Sequence, residues 1–270
     1  MRSSLSPQRG VAGPRDVAPD FAFVTIALAV DVGATAIKWQ PFGDDGELRS
    51  ARRRRTPSPC YPDELVAIIS ERVKHHQATF IAVGFPGDVI DGVVTDPANL
   101  ARVAGPGSPI DSAAALAWQN FTLRETIAET TGARCLVVND AVATAAGCDV
   151  QSGRHLVITL GTGLGVALAA DGMLLNIDDV GGRMFGDLTF DETVGEAARA
   201  NDPVVWIKSV VAVIAHLREQ FDVGTIHVAG GNAKRLSPQE FAWLNLPVII
   251  ERSMPALVGL NRLRLAYPTA

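Results

Sequence analysis

Residues 159–165, TLGTGLG, place three glycines and two hydroxyls in one turn between short apolar runs, HLVITL at 155–160 and VALAA at 166–170. Gly161, Gly163 and Gly165 let backbone N–H groups approach an anion, because no Cβ stands in the way. Thr159 and Thr162 add hydroxyls. Such a turn suits phosphate contact; the plainer alternative is a tight hairpin whose glycines serve only turn geometry. It is neither a dinucleotide fingerprint nor a P-loop. Val166 stands where a third glycine would be needed, no Gly-Lys-Ser/Thr follows, and the next segment reads as a strand rather than a helix.

The same grammar occurs earlier. Asp31-Val32-Gly33-Ala34-Thr35 separates the apolar run at 21–30 (FAFVTIALAV) from AIKWQ at 36–40. An aspartate at a strand end beside a glycine turn suits Mg²⁺, held directly or through water near a phosphate. It equally suits a turn capped by its own carboxylate. Asp140 ends the strand-like RCLVVN (134–139) and opens the small-residue stretch AVATAAG (141–147). A carboxylate there can take a hydroxyl proton while that oxygen attacks a phosphoryl group, or it can cap the helix. Asn139 can orient the same hydroxyl. Asn99, which both donates and accepts, suits a polyhydroxylated ligand.

These residues need a frame, and the chain supplies alternating strands and helices. A helix is expected from Pro62 to about Gln77, with Val66, Ile68, Ile69 and Val73 on its apolar side. A strand at 79–83 runs into Gly84-Phe85-Pro86-Gly87, a candidate pocket wall. A hairpin turns at Asp91-Gly92. Helices are expected at 122–131, 192–199 and 203–219, with a loop or short hairpin at 181–191. Strands are expected at 225–229, feeding Gly230-Gly231, and at 247–251. The GPGSP stretch at 105–109 reads as a hinge or boundary. Arg49 and Arg52–Arg55 form either a solvated edge or a patch for a polyanion.

Composition narrows the classes. A chain of 270 residues with 47% hydrophobic and 20% charged residues suits a globular protein long enough for two lobes. A net charge of -5 argues against nucleic acid as the partner. No run of 18 apolar residues indicates a membrane span. Cys60, Cys135 and Cys148 show no metal-ligand spacing and read as buried thiols in a reducing compartment, so a cytoplasmic location is expected. Residues 1–20 lack the apolar centre of a signal peptide and read as a flexible tail.

Taken in order, 31–35, 84–87, 98–99, 139–140, 159–165 and 230–231 resemble the ROK family of sugar kinases, nearest its short polyphosphate/ATP glucokinase branch. The resemblance implies an α/β, two-lobed actin-like ATPase (ribonuclease H-like) fold. Its lobes would span 21–108 and 109–253, with 254–270 returning toward the first. It implies Asp31, Gly33 and Thr35 as the first phosphate and metal turn, with Mg²⁺ at Asp31. Gly161, Thr162, Gly163 and Gly165 would meet the phosphates of ATP or polyphosphate. Gly230 and Gly231 would lie against the nucleotide. Asn99, Asn139 and Asp179 would bind a sugar or cyclitol, and Asp140 would be the general base. A homodimer is expected. Zinc is not, because the family's cysteine cluster is missing.

Two departures stand out. The family's Glu-x-Gly-His corresponds to Asp179-Val180-Gly181-Gly182, so the carboxylate is shorter by about 1.5 Å and the imidazole is gone. The second glycine of the first turn is Ala34, which is tolerable only if its φ is negative. These departures motivate a second reading, a non-catalytic sugar or nucleotide sensor on a kinase fold. The arginines motivate a third, a polyphosphate-binding module. The 20 residues before Phe21 are too few for the DNA-binding domain of the family's regulators. The reading carried forward is a kinase that phosphorylates a sugar or cyclitol hydroxyl.

Overall fold

A computed structural model describes residues 26–43 and 50–267. The expected tail at 1–20, the start of the 21–30 run, Arg49 and the last three residues lie outside the described residues.

The first sheet starts from alternating apolar and glycine-punctuated runs. β1 (Ala27–Val32) is buried along its whole length, and β2 (Ala36–Phe42) folds back on it antiparallel. β3 (Arg52–Arg55) pairs with β2 as an exposed edge. α1 (Pro62–His76) begins with proline at N1, followed by Asp63 and Glu64, which favour a helix N-terminus. β4 (Phe80–Phe85) then runs parallel to β1. The hairpin of β5 (Asp88–Ile90) and β6 (Val93–Asp96) leads to α2 (Ser112–Trp118), α3 (Leu123–Thr131) and β7 (Arg134–Asn139), which pairs parallel with β4. The sheet order is β3-β2-β1-β4-β7, with α1 to α3 closing one core over it.

α4 (Asp140–Gly147) carries the chain out of this sheet. β8 (Arg154–Leu160), β9 (Leu164–Ala170) and β10 (Met173–Asn176) form the next antiparallel meander. Next come the small hairpin of β11 (Met184–Phe185) and β12 (Leu188–Thr189), then α5 (Phe190–Val194), α6 (Glu196–Asn201) and α7 (Pro203–Phe221). β13 (Thr225–Ala229) and β14 (Val248–Ile250) complete the second sheet, in the order β10-β9-β8-β13-β14. The two sheets therefore repeat one pattern: two antiparallel steps on one side of the leading strand and two parallel steps on the other. That repeat is why the turns at 31–35 and 159–165 look alike. Each joins the leading strand of its sheet to the next.

α8 (Pro255–Ala266) returns across the molecule and packs on β1, β4 and α4. α4 lies between the two sheets. Ala143 joins the cluster of the first sheet, and Ala141 and Ala145 join that of the second. Only small side chains fit there. A Cβ on Gly259 of α8 would stand 1.8 Å from the Ala143 carbonyl, and one on Gly147 would stand 1.9 Å from the Pro255 carbonyl.

This layout moves the expected boundary. Residues 105–109 form a closed loop within the first half, with Val103 N–H donating to the Pro109 carbonyl and Arg102 bridging Ile110. β7, past that loop, still belongs to the first sheet. The crossing falls at Asn139-Asp140, because sheet membership is set by pairing with β4 rather than by local glycine and proline content. The expected helix at 192–199 is broken at Gly195 into α5 and α6. Among the described residues, no helix is long and apolar enough to cross a membrane.

Candidate functional site

Between the sheets opens a cleft of about 570 Å³, a size that suits a small-molecule ligand. All thirteen residues singled out in the sequence line it: Asp31, Gly33, Thr35, Asn99, Asn139, Asp140, Gly161, Thr162, Gly163, Gly165, Asp179, Gly230 and Gly231.

The two glycine turns meet at its centre. Thr35 Oγ1 and Thr162 Oγ1 are 3.1 Å apart, although 127 positions separate them in sequence. The first turn is held from the residue just past β3, since Thr56 Oγ1 donates to the Gly33 carbonyl and Thr56 N–H donates to the Thr35 carbonyl. Ala34 is not among the described residues with positive φ, so the alanine fits.

The glycines of the second turn do different jobs. A Cβ at Gly163 would stand 2.4 Å from the Asp191 carboxylate, and one at Gly165 would stand 2.4 Å from Thr159 Oγ1. A side chain at either position would require the Asp191 or Thr159 side chain to move. Gly161 faces open space among the described residues, while its N–H closes the turn on the Gly163 carbonyl. Asn232 Nδ2 donates to the Gly161 carbonyl and to Glu196, which Arg199 holds in turn. That Arg199 hydrogen bond is the main reason the Glu196 carboxyl falls to about 2.

Asp140 is the first residue of α4, and the capping role belongs to its neighbour. Asn139 Oδ1 accepts from the Ala141 and Val142 amides, and its Nδ2 donates to the Gly87 carbonyl. One N–H of Asn139 remains for any ligand, fewer than its type suggests. The Asp140 carboxylate lines the cleft, within reach of its own and the Ala141 backbone amides. Burial pushes its pKa up to about 7. The negative charge of Asp31 adds to the rise, and backbone amides and Lys38 oppose it.

Lys38 was not singled out in the sequence. Its Nζ lies 2.6 Å from Asp31 Oδ2. The signal was present, because a hairpin turning at 33–35 places residue 38 directly opposite residue 31. Asp191 gave no such signal. Its Oδ1 accepts from the Leu164 amide at 2.7 Å, and its own N–H donates to the Gly181 carbonyl. It joins the second phosphate-type turn to the 179–182 segment. Burial raises its pKa, the Leu164 amide opposes that, and Asp179 adds to it.

The other end of the cleft is acidic. Asn99 Oδ1 accepts from Arg102 Nε at 2.7 Å, which leaves the Asn99 amide N–H groups for a ligand. Asp88 is raised by burial first and then by the charges of Asp178, Asp96 and Asp179. Asp179 has φ +48, and its carboxylate folds over Gly182: a Cβ at 182 would stand 2.5 Å from Asp179 Oδ1. The two changes within 179–182, the shortened carboxylate and the missing imidazole, are therefore one arrangement. Asp179 occupies the space that a side chain at 182 would need.

Comparison with known proteins agrees with this layout. The sequence model of the ROK family matches residues 27–179, more than half of the chain. The N-acetylmannosamine kinase of Escherichia coli (strain SE11) is 28% identical over 159 residues, 55% of this chain and 48% of that protein. The chain spans about half the length of the curated relatives it matches. Among solved structures, the inorganic polyphosphate/ATP-glucomannokinase of Arthrobacter sp. strain KM superposes with a TM-score of 0.73 at 24% identity, covering 90% of this chain and 98% of that one. A ROK family glucokinase from Streptomyces griseus, solved with glucose and AMPPNP, superposes with a TM-score of 0.65 at 19% identity, covering 88% and 98%. With a two-lobed α/β kinase fold and a family match that runs from the first glycine turn to Asp179, the chain belongs to the ROK family.

Proposed function

We propose that this chain transfers a phosphoryl group from ATP or polyphosphate to a hydroxyl of a sugar or cyclitol. One observation carries the reading: Asp140, next to the N-cap residue Asn139 and pushed up to about 7, lines the cleft in which the two threonine turns meet. A base with a pKa near the working pH is well matched to accept a hydroxyl proton. In the step, the acceptor hydroxyl gives its proton to Asp140. Its oxygen bonds to the transferred phosphorus as the bond to the departing phosphate breaks. Thr35 and Thr162 hold phosphoryl oxygens, and Lys38 adds positive charge beside Asp31.

Asp31 fits Mg²⁺ through water. It offers one carboxylate already paired with Lys38, and Mg²⁺ normally keeps several waters while bridging substrate phosphates. The ion, when bound with the donor, supplies neutralising charge to those phosphates. Arg53 lines the cleft from the exposed edge strand, which supports a long anionic donor as well as ATP. The carboxylates around Asp88 support an acceptor carrying an amino group. The N-acetylmannosamine kinase relatives support an acetylated hexosamine as the second choice.

The test crosses ATP and polyphosphate against glucose, mannose, glucosamine, N-acetylmannosamine and inositol, with phosphorylated product as the readout. Transfer with at least one pair is expected, glucosamine among the acceptors. Calorimetric binding of a sugar with no transfer from either donor would favour the sensor reading instead. A second measurement addresses the base. The value of kcat/KM is expected to rise with pH up to about 7 and then level off, because Asp140 must lose its proton to act. A profile flat across that range would remove Asp140 from the role.

A further inference from the structure

At the far end of α4 from Asp140, three segments bring Cys148, His227 and Glu251 together. Their ligand atoms lie within 4.8 Å of one another. Cys148 and His227 are buried, and Glu251 is partly buried on the wall of the cleft. None of the three takes part in the proposed phosphoryl transfer.

The hydrogen bonds around His227 point to a cation. His155 Nε2 is 2.7 Å from the Ser152 carbonyl, which can only accept, so this nitrogen carries a proton. In a neutral ring His155 Nδ1 is then bare, and it faces His227 Nε2 at 3.2 Å. His227 Nε2 must donate to it, which leaves His227 Nδ1 bare. That nitrogen sits 2.8 Å from Glu251 Oε1. Two acceptors face each other, with a buried sulfur beside them. The arrangement requires a positive centre: an extra proton or a metal ion.

We propose that Cys148, His227 and Glu251 bind a zinc-class divalent cation, with His155 as the positioning residue that fixes the His227 tautomer. Sulfur plus imidazole selects zinc over Mg²⁺ or Ca²⁺. Three protein ligands leave a fourth position for water. Ligands on a tetrahedral zinc stand roughly 3.3–3.6 Å apart, so the 2.8 Å His227–Glu251 pair must open slightly while any longer separation, 4.8 Å at most, closes. A second hydrogen-bonded shell, here His155 and the Ser152 carbonyl, is the usual support for a ligating histidine. On binding, the Cys148 thiol gives its proton to solvent and its sulfur bonds the metal. The site ties the end of α4 to β13 and to the segment after β14 that leads into α8. It is separate from the family cysteine cluster whose absence suggested a zinc-free protein.

The experiment measures metal rather than catalysis. The full chain is reconstituted with zinc or cobalt, desalted, and assayed by elemental mass spectrometry. About one equivalent per chain is expected, with a thiolate-to-cobalt charge-transfer band in the cobalt form. Cys148→Ser is expected to lose that band and to bind at least about tenfold more weakly. Glu251→Gln, at the more exposed ligand, keeps the band but weakens binding, which guards against a Cys148 variant that fails to fold. Chelation lowers the Tm of the parent chain and not that of Cys148→Ser. Less than about a tenth of an equivalent retained by the parent, a cobalt spectrum without a thiolate band, or binding unchanged in both variants would overturn the site in favour of a shared proton.

Discussion

Asp140→Asn is expected to remove phosphoryl transfer and to make the protein more stable. Loss of a positioned base lowers kcat by roughly 10²–10⁴, with substrate affinity nearly kept because the shape is conserved. The stability gain follows from the same environment. Burial and the Asp31 charge hold the folded-state pKa near 7, above the unfolded value of 3.8. A carboxyl raised on folding carries no penalty below its unfolded pKa, where it is protonated in both states. The penalty grows as pH rises between the two values and is fully present above about 7. A shift of this size corresponds to a few kcal/mol at most. In a chain of this size that moves Tm by several degrees, at about 2–4 °C per kcal/mol. The amide accepts the same backbone N–H groups without the charge. The Tm difference between variant and parent should be largest near pH 8 and shrink toward pH 4. A variant that transfers phosphate at the parental rate would end the general-base assignment. A variant less stable than its parent at pH 8 would end the electrostatic account of it.

Gly259→Ala is expected to be strongly disruptive, since its Cβ makes the shortest backbone approach among the described glycines. Its Cβ would stand 1.8 Å from the Ala143 carbonyl and 2.6 Å from the Gly147 amide nitrogen, both backbone atoms. α4 cannot retreat, because its opposite face is packed through Ala141 and Ala145 on the second sheet. The helices must separate, at a cost of about 2–4 kcal/mol, the upper range for overpacking. Thermal or urea unfolding measures it. Activity should fall as well, since a shift of α4 carries Asp140 with it. Gly231→Ala is the control. Among the described residues its Cβ would meet nothing within 4 Å, so stability should change by no more than about 0.5 kcal/mol. Equal stability of Gly259→Ala and parent would mean that the helices are not in backbone contact.

Periodicity and turn composition reveal the elements of this fold because they are local properties. The apolar face of α1, the strands ending at Phe85 and Asn139, and the two matching turns all fall within short windows. The crossing between lobes is not local. The glycines and prolines at 105–109 mark a loop, yet the chain stays with the first sheet until β7 has paired with β4. The site shows the same division. Asp31, Asp140 and the threonine turns announce themselves by their neighbours. Asp191 reaches the second turn from 27 residues beyond Leu164, its hydrogen-bond partner, and nothing nearby in sequence marks it. The division of labour at 139 and 140 was likewise hidden. Either residue type can cap a helix, and only the fold shows that Asn139 does so.

The carboxylate of Asp179 resting over Gly182 has a consequence for descent. Positions 179 and 182 are one character rather than two. A Cβ introduced at 182 would stand 2.5 Å from Asp179 Oδ1, so any side chain there needs that carboxylate to turn aside. A lineage altering its acceptor through this corner must either change both positions together or pass through an intermediate that is worse than both ends. On the proposed function, the order of substitutions at this corner would then matter as much as the number of contacts made with the acceptor.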